Sequence, residues 1–343
     1  MLLDSSPDRW GQTLMKRREV QEAKDEKRKP RTLYAWDYLI GVQDQTRQGA
    51  LRFKYEGTDV FLDDHQLPAP PICQLRELED IAFKLSNKRI DDLDKLKRWL
   101  SVLVAPGSSL GGARPKANFT DNDGSLWIAK FPSKDDDIDI AAWEMLVHDM
   151  ADEAHIDVPS AKLLKFDNCY HTFCVKRFDR QGDRRVLYAS AMTILGATES
   201  EGWSYLDLAQ IIQNQGDPFF IKDDLAQLFY RVIFNVAIGN RDDDHLRNHG
   251  FVLNEKGWRL SKAFDVNPNI DKVNHVLNLN ESDNTPSIQT VIETASYYDI
   301  NDSRADEIAN KIISIVDQWH IKARKMDIAM ADIHIMEPAF LAH

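Results

Sequence analysis

The stretch GNRDDDHLRNHG, from Gly239 to Gly250, puts three carboxylates (Asp242, Asp243, Asp244), an imidazole (His245), a guanidinium (Arg247) and an amide (Asn248) into one short loop. A turn that merely connects two elements needs far less polar chemistry. Upstream, Leu225, Leu228, Phe229, Val232, Ile233, Val236 and Ala237 recur at helical spacing and predict a buried helix. Gly239 stands where a helix C-cap glycine belongs, supplying positive φ without a Cβ penalty. Downstream, residues 251–253 and 258–260 flank the turn Asn254-Glu255-Lys256-Gly257 and predict a hairpin. Asp265 follows shortly, directly after Ala263 and Phe264.

Phosphoryl transfer from a nucleotide uses such parts in this order. A carboxylate accepts or orients the proton of the attacking hydroxyl, and an Asn with a second Asp holds Mg²⁺ against the phosphates. In protein kinases the catalytic Asp precedes that Asn by about five positions. Asp243 and Asn248 have this separation, whereas Asp242 and Asp244 do not. Arg247 is then expected beside the transferred group, where a fixed cation offsets developing charge. Taken alone, the loop also fits a solvated acidic turn or a hydrolytic metal site built from Asp and His, so its context decides.

The chain has 343 residues, enough for a large core and two lobes, and its 43% hydrophobic and 29% charged residues are those of an ordinary soluble globular protein. No apolar run approaches the roughly 18 residues that span a bilayer, and MLLDSSPDRW lacks the regions of a signal peptide. Three cysteines (Cys73, Cys169, Cys174) without a CxxC pair are expected to be reduced thiols in a cytoplasm. A formal net charge of -12 argues against direct, phosphate-driven binding to nucleic acid, which comes from Lys and Arg displacing counterions.

In chain order, the Arg-, Lys- and Glu-dense run 14–29 predicts an exposed helix with a solvated face. A short core helix over 32–42, a strand over 49–55, a Pro-rich connector at 67–71 and amphipathic helices over 75–85 and 91–104 complete a scaffold. Then PGSSLGGARPKA, Pro106 to Ala117, offers adjacent glycines whose N–H groups can approach anionic oxygens, with Lys116 as a charge. In isolation it also fits a plain turn. The predicted strand LWIAKF, Leu126 to Phe131, carries Lys130, and a helix over 140–154 carries Glu144 at the margin of its apolar stripe. A glycine-rich loop, a lysine on the next strand and a glutamate on the following helix form the nucleotide-phosphate clamp of kinases. Strands over 161–166 and 172–177 lead to Val175–Phe178, where an adenine-binding link between lobes would fall. Beyond it the pattern turns helical, over 206–212, 225–238, 288–294 and 302–325. The fold class expected is α+β and two-lobed, protein-kinase-like, with a mixed α/β N-terminal lobe over 1–178 and a mostly α-helical C-terminal lobe over 179–343.

SSLGGARPKA, WIAKF, VKRFDR, NRDDDHLRNHG and AFDV, in that order and at these distances, resemble the HipA family of bacterial Ser/Thr kinases, the toxins of HipA-HipB toxin-antitoxin modules. PDRWGQTLMKRR and GALRF also look like segments of the HipA scaffold, so the resemblance covers nearly the whole chain from Pro7. It implies ATP and Mg²⁺ as cofactors, Asp243 as catalytic aspartate, Asn248 and Asp265 as Mg²⁺ ligands, and Lys130 as the ATP-phosphate lysine. Lys116 with Gly111 and Gly112 would cover the phosphates, Lys176 to Phe178 would contact adenine, and His245 is counted with the nucleotide-binding residues. Ser109, with Ser108 as second choice, looks like the loop serine that these kinases autophosphorylate, because a phosphate there would repel ATP from the same pocket. The partners implied are a HipB-like helix-turn-helix antitoxin, with DNA reached only through it, and a protein substrate among translation components such as an aminoacyl-tRNA synthetase. HipA proteins usually carry a small β-rich domain ahead of the PDRWG segment, whereas this chain begins almost at that segment; a separate small protein could supply it. The alternatives weighed are an inactive nucleotide- and antitoxin-binding module and a kinase for a lipid or small metabolite.

Overall fold

Apolar side chains gather into two cores. The computed structural model describes residues 1–64, 69–86 and 114–340. It divides into one unit of Met1–Ala141 with Ala161–Tyr188 and a second of Ala142–Ser160 with Ala189–His343. The sequence places a single boundary at 178; the division by packing puts the last crossing at 188 and counts residues 142–160 with the second unit. The expected helix 91–104, and with it Ser108, Ser109, Gly111 and Gly112, lies outside the described residues.

The first unit is built on an antiparallel sheet of order β1-β2-β4-β3, from β1 (Lys116–Thr120), β2 (Leu126–Lys130), β3 (Ala161–Leu164) and β4 (Thr172–Lys176). Lys116 pairs with Lys130 across β1 and β2, and Trp127 with Lys176 across β2 and β4. Phe119, Trp127, Phe131 and Cys174 pack with Leu75, Leu78 and Leu85 of helix α3 (Leu75–Ser86). Helix α1 (Arg9–Asp25) delivers Trp10, Leu14 and Met15 to the same core. The charge-dense run is therefore more than a solvated helix. Leu14 is completely buried, and Glu19 is drawn inside by Arg28 and Arg31. Helix α2 (Ala35–Ile40) buries only Leu39, and Trp36 stays 59% exposed, so the expected core helix is a surface turn of helix.

The strand expected over 49–55 does not form; only the single bridge Phe53–Leu62 is present. Side chains hold the backbone just ahead of it and at its first residue, Gly49. Arg177 donates to the carbonyls of Thr46 (2.5 Å) and Arg47 (3.3 Å), to Asn118 Oδ1 (2.9 Å) and to both oxygens of Asp179. Asp179 accepts in turn from the Gly49 N–H (2.7 Å) and from Arg180 (2.7 Å), which also reaches the Arg47 carbonyl (2.7 Å). The VKRFDR motif thus uses Arg177, Asp179 and Arg180 to tie residues 46–49 to the end of β4. The short ribbon β5 (Arg180–Gln181) and β6 (Arg184–Arg185) follows.

In the second unit, helix α4 (Ile140–Glu153) and the sheet β7-β8-β9, from β7 (Tyr188–Ser190), β8 (Gly250–Leu253) and β9 (Trp258–Leu260), accompany a helical assembly. Ser190 caps the short α5 (Ala191–Leu195), and Ser204 with Asp207 forms a capping box at α6 (Tyr205–Gln215). Helix α7 (Ile221–Ile238) is central, packed by α6, by α8 (Ile288–Glu293) and by α9 (Asp302–Val316). The single helix expected over 302–325 breaks after Val316, and α10 (Trp319–Lys325) restarts so that Trp319 stacks on Phe340 at 4.2 Å between ring centroids. The hairpin β8–β9 has the predicted register, Phe251 opposite Leu260. Among the described residues no helix is long and apolar enough to cross a membrane.

Asp179 is completely buried. Burial would raise its carboxyl, but Arg177 and Arg180 outweigh burial and hold it below the usual carboxylate range. A depressed carboxyl contributes stability that is present above the unfolded pKa, roughly 3.9, and is lost as pH falls through the folded value. Asp179→Asn leaves two buried guanidinium groups without their counter-charge and is expected to destabilise the first unit by about 3–5 kcal/mol at pH 7. Urea unfolding of wild type and variant should show that gap narrowing below about pH 4; an unchanged midpoint at neutral pH would show that the network is dispensable.

Candidate functional site

The predicted loop leaves a rigid support. Helix α7 buries Leu228, Phe229, Val232, Ile233, Val236 and Ala237 and ends at Gly239, whose left-handed backbone (φ 67°) lets its N–H turn back to the Asn235 and Val236 carbonyls. Asn240 N–H returns to the Asn235 carbonyl at 2.9 Å. Arg241 then reaches the Lys272 carbonyl (3.2 Å) and the Ala339 carbonyl (3.1 Å), so the first charged group of the loop is spent on structure.

Within the loop, backbone and side chains fold Asp243 and Asn248 together. His245 N–H donates to the Asp243 carbonyl (3.0 Å), and Asn248 N–H to the His245 carbonyl (2.9 Å). The Asn248 amide nitrogen donates to the Asp243 carbonyl at 2.7 Å. The Asp243 carboxylate accepts from Asn267 Nδ2 at 3.0 Å. Asp243, Asn248 and Asp265 line one small cavity of about 20 Å³, room for one water or one ion. Asp243 and Asn248, which the spacing selects, and Asp265, which the resemblance adds, thus lie around one cavity.

Asp265 has φ 52°, the left-handed region that costs a non-glycine residue roughly 1–3 kcal/mol and clusters at functional sites. Asn248 Oδ1 is buried and accepts no hydrogen bond, while its Nδ2 is engaged. A buried amide oxygen without a donor is costly unless something else occupies its lone pairs. Paired with a carboxylate in the same cavity it is a hard oxygen donor set of the kind Mg²⁺ takes, with water and phosphate completing the sphere. Among the described residues no cluster of three or more His, Cys, Asp or Glu is arranged to hold a metal.

Two buried groups escaped the sequence. Asp244, which the spacing rule passed over, is sealed beneath the loop with Oδ1 2.6 Å from His249 Nε2 and Oδ2 3.6 Å from His275 Nδ1. Burial would raise its carboxyl, yet contact with His249 and His275 holds it below the ordinary value. The edge of the His249 ring meets Tyr205 of α6. Nothing local announces the His275 contact, because 31 positions separate the partners. Of the other acids, Asp242 is exposed with Lys272 3.8 Å away. Arg247 is exposed, its Nε 3.2 Å from Met192 Sδ, and His245 is half-buried.

The remaining expected residues fall into separate places. Lys130 is buried at the end of β2 in the first unit, its ammonium 5.6 Å from the Phe173 ring centre, and Glu144 is buried on α4 in the second. Lys116, expected to cover the phosphates, has its ammonium 2.9 Å from Asp8 with both side chains buried. Asp8 also caps α1 through the Gly11 N–H (2.7 Å), so this ion pair has a structural role, locking α1 to β1. Lys176 is half-exposed with Asp123 3.4 Å away, and the Phe178 ring lies 6.0 Å from Tyr188.

Residues 108–319 match the family described as the HipA-like C-terminal domain. Among solved structures, HipA in the complex of the Shewanella oneidensis MR-1 toxin-antitoxin system with HipB and operator DNA aligns with a TM-score of 0.65 at 15% identity, over 94% of this chain and 80% of that one. The Helicobacter pylori proinflammatory kinase CtkA aligns with a TM-score of 0.40 at 16% identity, over 63% of this chain and 91% of that one. No curated protein matches the chain by sequence. The likeness to HipA carries the expected kinase-like α+β fold.

Gly239 is the position on which the loop's exit depends. A methyl group there would overlap the Ala339 carbonyl oxygen and would force φ 67° on a residue with a Cβ. The left-handed backbone alone costs roughly 1–2 kcal/mol, and neither Ala339 nor the helix end can retreat. Gly239→Ala is expected to lower the stability of the second unit by more than about 2 kcal/mol in urea unfolding; a wild-type midpoint would contradict the packing described.

Proposed function

The chain belongs to the HipA-like C-terminal domain family, and from that premise we propose that it is an ATP- and Mg²⁺-dependent serine/threonine protein kinase, the toxin of a HipA-HipB-type module. The observation that carries the proposal is the shared cavity of Asp243, Asn248 and Asp265, with the Asn248 carbonyl oxygen buried and unclaimed.

In this proposal Asp243 accepts the proton of the substrate hydroxyl, or orients it for attack, as a positioned general base. Asn267 holds one of its oxygens by a 3.0 Å hydrogen bond, which fixes the direction of the other. Asn248 and Asp265 would hold Mg²⁺, which when bound supplies positive charge to the phosphates. Lys130 would contact the ATP phosphates, with Glu144 as the glutamate of the family clamp. The exposed Arg247 guanidinium would offset charge developing on the transferred group. Lys176 and Phe178 would contact adenine, and His245 the nucleotide. Ser109, with Ser108 second, would accept phosphate in autophosphorylation.

A HipB-like antitoxin is the proposed partner, since the Shewanella homologue was solved with HipB and operator DNA. DNA would be reached only through that partner, as the net charge of -12 disfavours direct contact. The proposed substrate is a protein of the translation apparatus, and the proposed compartment the cytoplasm.

The test is incubation of the full chain with γ-labelled ATP, Mg²⁺ and a bacterial extract. Wild-type protein is expected to label itself and at least one extract protein, and Asp243→Asn to lower kcat by at least about 100-fold while still binding nucleotide. Wild-type protein that labels neither itself nor any protein in the extract would overturn the assignment.

A further inference from the structure

The five-residue interval that selects Asp243 and Asn248 occurs a second time, shifted by one residue. Asp244 and His249 are joined by a 2.6 Å bond between Oδ1 and Nε2, and both are buried. The functional pair is joined over the same interval by the 2.7 Å bond from Asn248 Nδ2 to the Asp243 carbonyl. Each functional residue thus has a neighbour in sequence that is bonded to the neighbour of the other.

We propose that Asp244 is a positioning residue for phosphoryl transfer: with His249 and His275 it clamps the two ends of the loop so that the Asn248 carbonyl oxygen and the Asp243 carboxylate stay aimed into one cavity. This rests on the kinase reading given above. Three observations support it. Asp244 is the one carboxylate of the three that is fully buried, where an ion is tolerated only with partners. Its partners come from two places, His249 at the loop's exit and His275 from the segment that Asn284 closes by accepting from the His275 N–H (3.0 Å) and donating to its carbonyl (2.8 Å). His249 is itself held, by the Tyr205 edge contact and by the bond of its carbonyl to the Ala191 N–H at 2.8 Å. The clamp is therefore anchored outside the loop it constrains. Its effect on Asn248 runs through the shared backbone, because His249 is the next residue and its position sets where the Asn248 Cα stands.

Groups that orient metal ligands typically change metal affinity by about 10–100-fold when removed. In the full-length chain, Asp244→Ala and His249→Gln are each expected to weaken Mn²⁺ binding in the presence of AMP-PNP by about that factor, read by Mn²⁺ electron paramagnetic resonance, and to lower kcat similarly. AMP-PNP binding without metal should stay unchanged, and the double variant should be no worse than the weaker single one, as for residues acting as a unit. A purely structural residue would lower the unfolding midpoint without this selective loss. If Asp244→Ala does not fold, Asp244→Asn, of the same shape but uncharged, carries the test. Wild-type Mn²⁺ affinity and turnover in the folded variants overturn the positioning role alone. Wild-type protein that binds no Mn²⁺ with nucleotide overturns the kinase reading, and the positioning role with it.

Discussion

A buried helix whose end cannot move is the constraint on which the site depends. Helix α7 is enclosed by α6, α8 and α9, so the place and direction of its last turn are set by packing. From that point two distant segments close on the same few atoms: Arg241 takes the Ala339 and Lys272 carbonyls, and the Asn269 N–H, beside Lys272, takes the Gly239 carbonyl at 3.0 Å. These are hydrogen bonds to backbone, which tolerate little change of geometry. Chain that is 30 and 100 positions away in sequence thereby fixes where residue 242 begins. The polar loop starts from a defined point even though it contains no regular structure of its own.

What the loop does next is an allocation of a limited number of polar groups. Buried polar atoms almost always have partners, and an orphan costs roughly 1–3 kcal/mol. Here Asn248 spends its nitrogen on Asp243 and leaves its oxygen unspent, and Asp265 sits in a strained backbone conformation beside it. Both are local losses that a loop without a ligand has no reason to keep. The surrounding residues are tied by the bond from Asp244 to His249 (2.6 Å) and the bond from Asn267 to Asp243 (3.0 Å). The unclaimed Asn248 oxygen and the strained Asp265 both belong to residues that line the cavity.

The helix before the loop, the glycine that ends it, the hairpin after it and the spacing of Asp243 and Asn248 were all legible, because each is a property of neighbouring residues. Helical period, positive φ and a five-residue interval leave marks within a dozen letters. Asp244 was passed over for the same reason. Its partner His275 lies far along the chain, and three consecutive aspartates look alike until burial distinguishes them. The VKRFDR stretch shows the same limit in the first unit. Its order was legible, but the use of Arg177 and Asp179 to hold residues 46–49 was not. Glu19 and Leu14 went inside on a helix rich in charged letters, since α1 needs only some buried positions to be held against the sheet.

On the proposed reading an acidic chain handles a polyanion, and it then has to settle its charges locally. At physiological salt, exposed charges are screened beyond roughly 8 Å, so a net charge of -12 spread over the surface matters less than the few groups at the site. The three consecutive carboxylates go three ways. Asp242 turns to solvent near Lys272, and Asp244 is enclosed under two imidazoles. Asp243 is left half-buried at the cavity, with one oxygen on the Asn267 amide. Aiming all three freely at the cavity would set three negative charges beside a bound phosphate. On the proposed reading, Asp242 is turned outward and Asp244, which also lines the cavity, has Oδ1 taken by His249, so that Asp243 is left as the base at the position the spacing selects. The selection therefore has an electrostatic cause as well as a geometric one.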